Sequence, residues 1–370
     1  MLKLKKGDSF MPQGKTAARN NWIELLRFLF ALLIPLYHGR FLPPETSWFR
    51  APNGAVAVEF FFILTGFLMA GSVKKRLNSQ VDLGKDTGAF LKKKYLSVFP
   101  YHFFSYVCSF LVAVVVGGLT VVGAVKLFVG SLPNLFMLDL VGLPFTKVAG
   151  YIWFLSAMFI AIALLYPFLR RWYSVFTHVC APVLGILLLG WLAKTYGHLT
   201  TVSTWTGLTY KGVLQAIAEI ALGCAAFELC EKLKTMEFTK FGKVFLLFME
   251  LFGYGATFIY AFSHKSEMFY FYLAFFLVLS IAISFSGKTV TGQLGQNRVA
   301  TFLGKLSLPI YLNQFYVLTV VEQYTEGVNG NLRMLMFVLG CLVMATICLV
   351  LVDFLRKKIN ISKLLVQKTA

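Results

Sequence analysis

The chain has 370 residues, of which 58% are hydrophobic and 14% charged, with a mean hydropathy of +0.72. That leaves too little polar surface to cover a water-soluble globule of this size, so lipid is the main solvent. A formal net charge of +19 would suggest a nucleic-acid partner in a soluble protein, but in a membrane protein the placement of the positive residues matters more than their sum, and no nucleic-acid surface is expected.

A spanning helix needs about 20 mostly apolar residues. Segments of that kind run over 22–38, 55–72, 95–116, 151–169, 179–197, 212–230, 244–262, 267–285, 306–323 and 332–355, and no alternating pattern argues for strands. The expected fold is therefore an all-α polytopic bundle of about ten transmembrane helices in a multi-pass cell-membrane protein. Most Lys and Arg fall in alternate loops and at both ends, which predicts cytoplasmic termini, with Pro44 and Lys265 outside and Asp86, Glu237 and Gly292 inside. Residues 125–140 are also apolar, but a crossing there would put Arg170 and Arg171 outside and invert every later loop. They are expected to form a re-entrant or interfacial piece on the outer side, broken by Pro133 and Asn134.

No repeat or appended soluble domain is evident, so a single transmembrane domain is assigned to 21–355, between basic segments at 1–20 and 356–370. The first span, with no small-residue cleavage site after it, is expected to be an uncleaved signal anchor. Six cysteines lie in or beside spans without metal-ligand spacing, so they are expected to pack, and no metal is expected.

Ionisable residues inside spans are costly in lipid and carry most of the information. The first span holds Glu24, Arg27 and His38. Eleven residues at about 100° each bring Arg27 and His38 onto one face, about 16 Å apart along the axis. One reading makes this a functional polar face; the other has Arg27 paired with Glu24 and His38 resting in the interface. Glu59, about one turn into the second span, shares the outer end with His38, and a carboxylate beside an imidazole would orient a general base. A protonated, structurally satisfied Glu59 is the alternative. Thr65-Gly66 offers a small pair for close helix contact. His102 is expected to pack, and His178, His198 and His264 fall in loops.

The ordered set Glu24-Leu-Leu-Arg27, His38, Gly54, Val58-Glu59-Phe-Phe-Phe and Thr65-Gly66-Phe67 resembles the acyltransferase 3 family. Trp153-Phe-Leu-Ser156 is similar to the family's Trp-x-Leu element, and Leu306-Ser-Leu-Pro-Ile-Tyr311-Leu-Asn-Gln314 to its late Ser-x-x-x-Tyr-Leu signature. The resemblance implies a membrane O-acyltransferase that moves a short acyl group, such as acetyl, from cytoplasmic acyl-CoA to a hydroxyl of an extracytoplasmic glycan or glycolipid, as in polysaccharide O-acetylation of the cell envelope. Acyl-CoA is a substrate in that reading, and no further cofactor is implied.

The same resemblance makes His38 the catalytic histidine, with Glu59 beside it. It sets Arg27, Lys93 and Lys94 against the donor, and Trp153, Tyr311 and Gln314 in the substrate cavity. Two positions depart from the family pattern. An Arg-x-x-Arg pair is replaced by Lys94-Tyr-Leu-Ser97, and Gln314 stands where a histidine is common, so a proton-transfer role cannot be carried to it. Lys92, Lys93 and Lys94 also admit the simpler reading of positive-inside anchors. The rival function is a transporter or flippase for a lipid-linked saccharide, and a scaffold is a third. Oligomeric state is not fixed by any of this.

Overall fold

The computed structural model describes residues 20–39, 42, 50–79, 82–148, 150, 152–263, 269–294 and 297–369, with side chains to residue 358. Pro44, His264 and Lys265 lie outside the described residues. In chain order the helices are α1 (Asn21–His38), α2 (Ala57–Lys74), α3 (Leu83–Val116), α4 (Val121–Gly130), α5 (Leu132–Leu135), α6 (Trp153–Arg171), α7 (Tyr173–Val175), α8 (Ala181–Tyr196), α9 (Lys211–Thr235), α10 (Lys240–Ala261), α11 (Phe269–Ser286), α12 (Arg298–Tyr324) and α13 (Gly330–Thr369). A π-turn at Phe176–Cys180 joins α7 to α8. Among the described residues the only strand-like pairing is one bridge between Trp205 and Tyr210.

Each of the ten expected segments falls on a helix, and eight helices are long and apolar enough to cross a membrane. The other two, α1 with 18 residues and α12 with 27, have spanning length but carry more polar residues. The chain is thus an all-α, polytopic membrane bundle. Residues 125–140 form no continuous helix. The break comes at Ser131, which caps α4, and Pro133 sits in the first turn of α5, where its missing N–H costs nothing. His102 of α3 fastens this piece by donating Nε2–H to the carbonyls of Asn134 and Leu135, both at 3.1 Å.

Two spans are longer than hydropathy alone indicates. α3 starts at Leu83, well before the expected Tyr95, because Asp82 caps it by accepting from Lys85 N at 2.7 Å. Its 34 residues extend about 51 Å, well beyond a hydrocarbon core of about 30 Å. At that end Asp86 accepts from Arg76 at 3.1 Å, Arg170 at 3.2 Å and Tyr166 at 2.8 Å, tying the α2–α3 connection to α6. α13 likewise continues through the segment 356–369 that the sequence suggested was a tail.

Pro100 lies inside α3 and cannot donate to the Leu96 carbonyl. Arg356 from α13 fills the gap, giving Nη2 hydrogen bonds to Leu96 O at 3.2 Å and Ser97 O at 2.9 Å, with its guanidinium 4.9 Å above the Tyr101 ring.

At the centre α2 packs closely on α9. Gly66 faces the Ile220 carbonyl and Gly223 faces the Ile63 carbonyl, and a Cβ at either position would lie well inside 3.0 Å of that backbone oxygen. α1 packs against α12 by the same device, since Gly304 leaves room for Glu24.

Candidate active site

Among the described residues, two of the cavities between the helices are lined by the residues singled out above. One, of about 510 Å³, lies at the end of the bundle that holds the C-terminus of α1 and the N-termini of α2, α6, α9 and α11, and His38 lines it. The other, of about 590 Å³, lies toward the opposite ends of those helices and is lined by Arg27. Ile34, Val58 and Tyr311 line both.

His38 is the last residue of α1 and is held by α12. Gln314 Oε1 lies 3.0 Å from His38 Nδ1, and Gln314 Nε2 donates to Tyr311 O at 2.9 Å. The second bond fixes the amide, so its oxygen must face the imidazole. Nδ1 then carries the proton and Nε2 keeps its lone pair, the tautomer that a general base requires. Phe315 and Tyr37 confine the ring, with centroids at 4.7 and 5.1 Å.

This corrects the expected His38–Glu59 pairing. Glu59 lines the same cavity, but among the described residues neither carboxylate oxygen has a hydrogen-bond partner. Its electrostatic neighbour is instead Glu219 of α9, which accepts from Gln215 Nε2 at 3.0 Å. Gln314, expected to line the substrate cavity, lies fully buried behind His38. Trp153 and Tyr311 do line the cavity.

The rest of its wall comes from segments the sequence left without a role. Thr200, Thr201, Val202 and Ser203 are held by Lys211, which is fully buried and donates to His198 O at 3.3 Å and Thr201 Oγ1 at 3.0 Å, with Nζ 5.1 Å from the Tyr196 ring. Asp139 enters from the loop after α5. Its Oδ1 accepts from Asn134 Nδ2 at 3.0 Å. Burial pushes its carboxyl up to about 7, against the opposing pull of that bond and of Lys147.

The unfolded Asp139 carboxyl ionises near pH 4 and the folded one near 7, so between those values the folded chain holds the extra proton and stability falls as pH rises. The melting temperature in detergent is expected to decline from about pH 4 to 7 and level off above, and Asp139→Asn to remove that slope. An unchanged slope in the variant would assign it to another group.

The second cavity is basic. Arg27, Lys94, Lys305 and Arg356 line it against Asp353, the single acid among the described lining residues, and its apolar wall includes Phe61, Leu64, Leu68, Phe154 and Met158. Arg27 donates to Glu24 Oε2 at 3.0 Å and to Ser307 Oγ at 3.3 Å, so it is both paired and placed at the cavity. Lys93 is not with them. It is exposed and outside the lining, because successive helical residues point about 100° apart and Lys94 takes the inward direction. Lys305 and Arg356 come from α12 and α13, and no local motif marks them.

A helical membrane protein with an oriented imidazole in one cavity, a basic second cavity and three side chains common to both has the parts of a group-transfer enzyme. The chain belongs to the acyltransferase 3 family: a family model described as an acyltransferase domain matches residues 20–353, nearly the whole chain. It is therefore a membrane acyltransferase acting on groups other than aminoacyl groups. No match to a curated protein or to a solved structure is found.

Proposed function

We propose that the chain is a cell-membrane O-acyltransferase that takes a short acyl group from acyl-CoA in the basic cavity and delivers it to a hydroxyl of an extracytoplasmic glycan or glycolipid in the His38 cavity. The observation that supports this most is the meeting of two chemically opposite cavities at Ile34, Val58 and Tyr311. Four cations and an apolar wall suit an anionic donor with an uncharged arm. Aromatic faces from Tyr37, Trp153, Tyr210 and Tyr270, with hydroxyl and amide groups between them, suit a polyhydroxylated acceptor.

In this reading His38 Nε2 takes the proton as the acceptor oxygen attacks the thioester carbonyl. The C–S bond then breaks, and the departing CoA sulfur receives the proton back from the imidazolium. Gln314 holds the ring, and Arg27 and Lys94 hold the donor. The basic cavity faces the cytoplasm, in agreement with the basic residues at that end.

Permeabilised membranes containing the chain and supplied with radiolabelled acetyl-CoA are expected to fix label in their glycan or lipid material and to release an equal amount of CoA thiol. Neutralising Lys94 and Arg27 together should raise the apparent KM for the donor about tenfold or more, with a smaller change in kcat. Label fixed without thiol release, or a KM that does not move, would count against the donor assignment.

A further inference from the structure

α1 offers Arg27, Ile34 and His38 at spacings of seven and four residues, which keeps all three on one face. Ile34 then sits about 10 Å along the axis from Arg27 and about 6 Å from His38. Arg27 lines the basic cavity only, His38 the other only, and Ile34 both. α2 repeats the arrangement, with Glu59 on one side, Phe61 and Leu64 on the other, and Val58 on both. α12 does so again: Ser307 and Leu308 face the basic cavity, and Tyr311 faces both. Three helices thus bring one side chain each to the same level. These are 4%, 6% and 7% exposed for Ile34, Val58 and Tyr311. Phe154 meets the Tyr311 ring edge-on at 5.8 Å and limits its movement.

Two aliphatic side chains and a phenol ring cannot replace the hydration of phosphate groups, so the charged part of a donor stays among the cations. Transfer nevertheless needs the reacting carbonyl within about 3–3.5 Å of the acceptor oxygen. We infer that Ile34 and Val58, closed by Tyr311, form a neck that admits only the acyl end of the donor and sets the length of acyl group the enzyme transfers. This rests on reading the basic cavity as the acyl-CoA site. The neck selects by volume: the acyl chain of a donor one or two methylenes too long is not accommodated, so its thioester carbonyl stays short of His38 while the phosphates bind as before. The side chains at 34 and 58 are specificity-determining residues in this sense and take no part in proton transfer.

The test compares the ratio of kcat/KM for butyryl-CoA to that for acetyl-CoA, with hexanoyl-CoA as a third donor. Labelled donors are supplied to permeabilised membranes bearing the full chain, and label fixed by membranes lacking it is subtracted. A ratio does not depend on how much of a variant is folded. Val58→Ala and Ile34→Ala are expected to raise the butyryl to acetyl ratio about tenfold or more, and Val58→Phe to lower it, in line with the worth of a methylene in an apolar pocket. Ile34→Val, which removes one methylene and disturbs packing least, should move it in the same direction as Ile34→Ala by a smaller factor. Leu187→Ala, on the exposed face of α8 and outside both cavity linings, should leave the ratio within twofold. Wild-type chain that fixes acetyl label while all neck variants keep the wild-type ratio would overturn the neck alone. Wild-type chain that fixes no label from any of the three donors would overturn the donor reading and the neck with it.

Discussion

Replacing His38 with alanine is expected to lower acyl transfer by about 10²–10⁴-fold, the usual worth of a general base, without removing the chain from the membrane. His38 is at the end of α1, and the apolar face that packs α1 lies earlier in the helix, at Ile23, Leu26, Phe30 and Leu33. The variant should therefore keep the size-exclusion profile and melting behaviour of the parent. Gln314→Ala should cost about tenfold by releasing the imidazole, and the double variant should be no worse than His38→Ala alone, because the two residues serve one step. Glu59→Gln has no bond to His38 to break, so its loss should add to that of Gln314→Ala instead of being absorbed by it. Full transfer by His38→Ala would end the assignment of the base, and a sub-additive Glu59–Gln314 pair would restore the carboxylate to the histidine.

The largest effect on folding is expected at the α2–α9 contact. Gly66→Val or Gly223→Val would drive a branched side chain into the backbone carbonyl of the facing helix, where no flexible neighbour can yield. In lipid, helices associate through close packing and have little hydrophobic force to compensate for a lost fit. Both variants should accumulate poorly or elute as aggregate. Gly88→Ala and Gly190→Ala, where a Cβ meets nothing within 4 Å, are the matched controls and should behave as the parent. Monodisperse Gly66→Val with an unchanged melting temperature would show that this contact does not hold the bundle together.

The spans were legible from sequence because lipid makes apolarity the dominant constraint, and even α1 and α12 kept enough of it to be recognised despite Glu24, Arg27 and Gln314. The start of α3 was not read, although its signal was present: Asp82 is a capping residue ahead of a polar turn, and a search for apolar length passes over it. Within the site, His38, Trp153 and Tyr311 could be assigned through the family resemblance, and all three line one cavity. The partner of His38 could not, since Gln314 is 276 residues away and the pairing depends on the mutual rotation of α1 and α12. Glu59 illustrates the same gap. Its depth was readable, whereas the direction it faces belongs to the packing of α2 on α9. Lys305 and Arg356 join the basic cavity for reasons of packing alone.

The bond from Arg356 to the carbonyls beside Pro100 joins residues about 260 positions apart. During synthesis α3 enters the membrane long before α13 exists, and at about 5–20 residues per second the interval is about 10–50 s. For that time the unpaired Leu96 carbonyl must be satisfied by water or lipid headgroups. The basic cavity, whose wall includes Asp353 and Arg356 of α13, is therefore complete only once the last helix has been added.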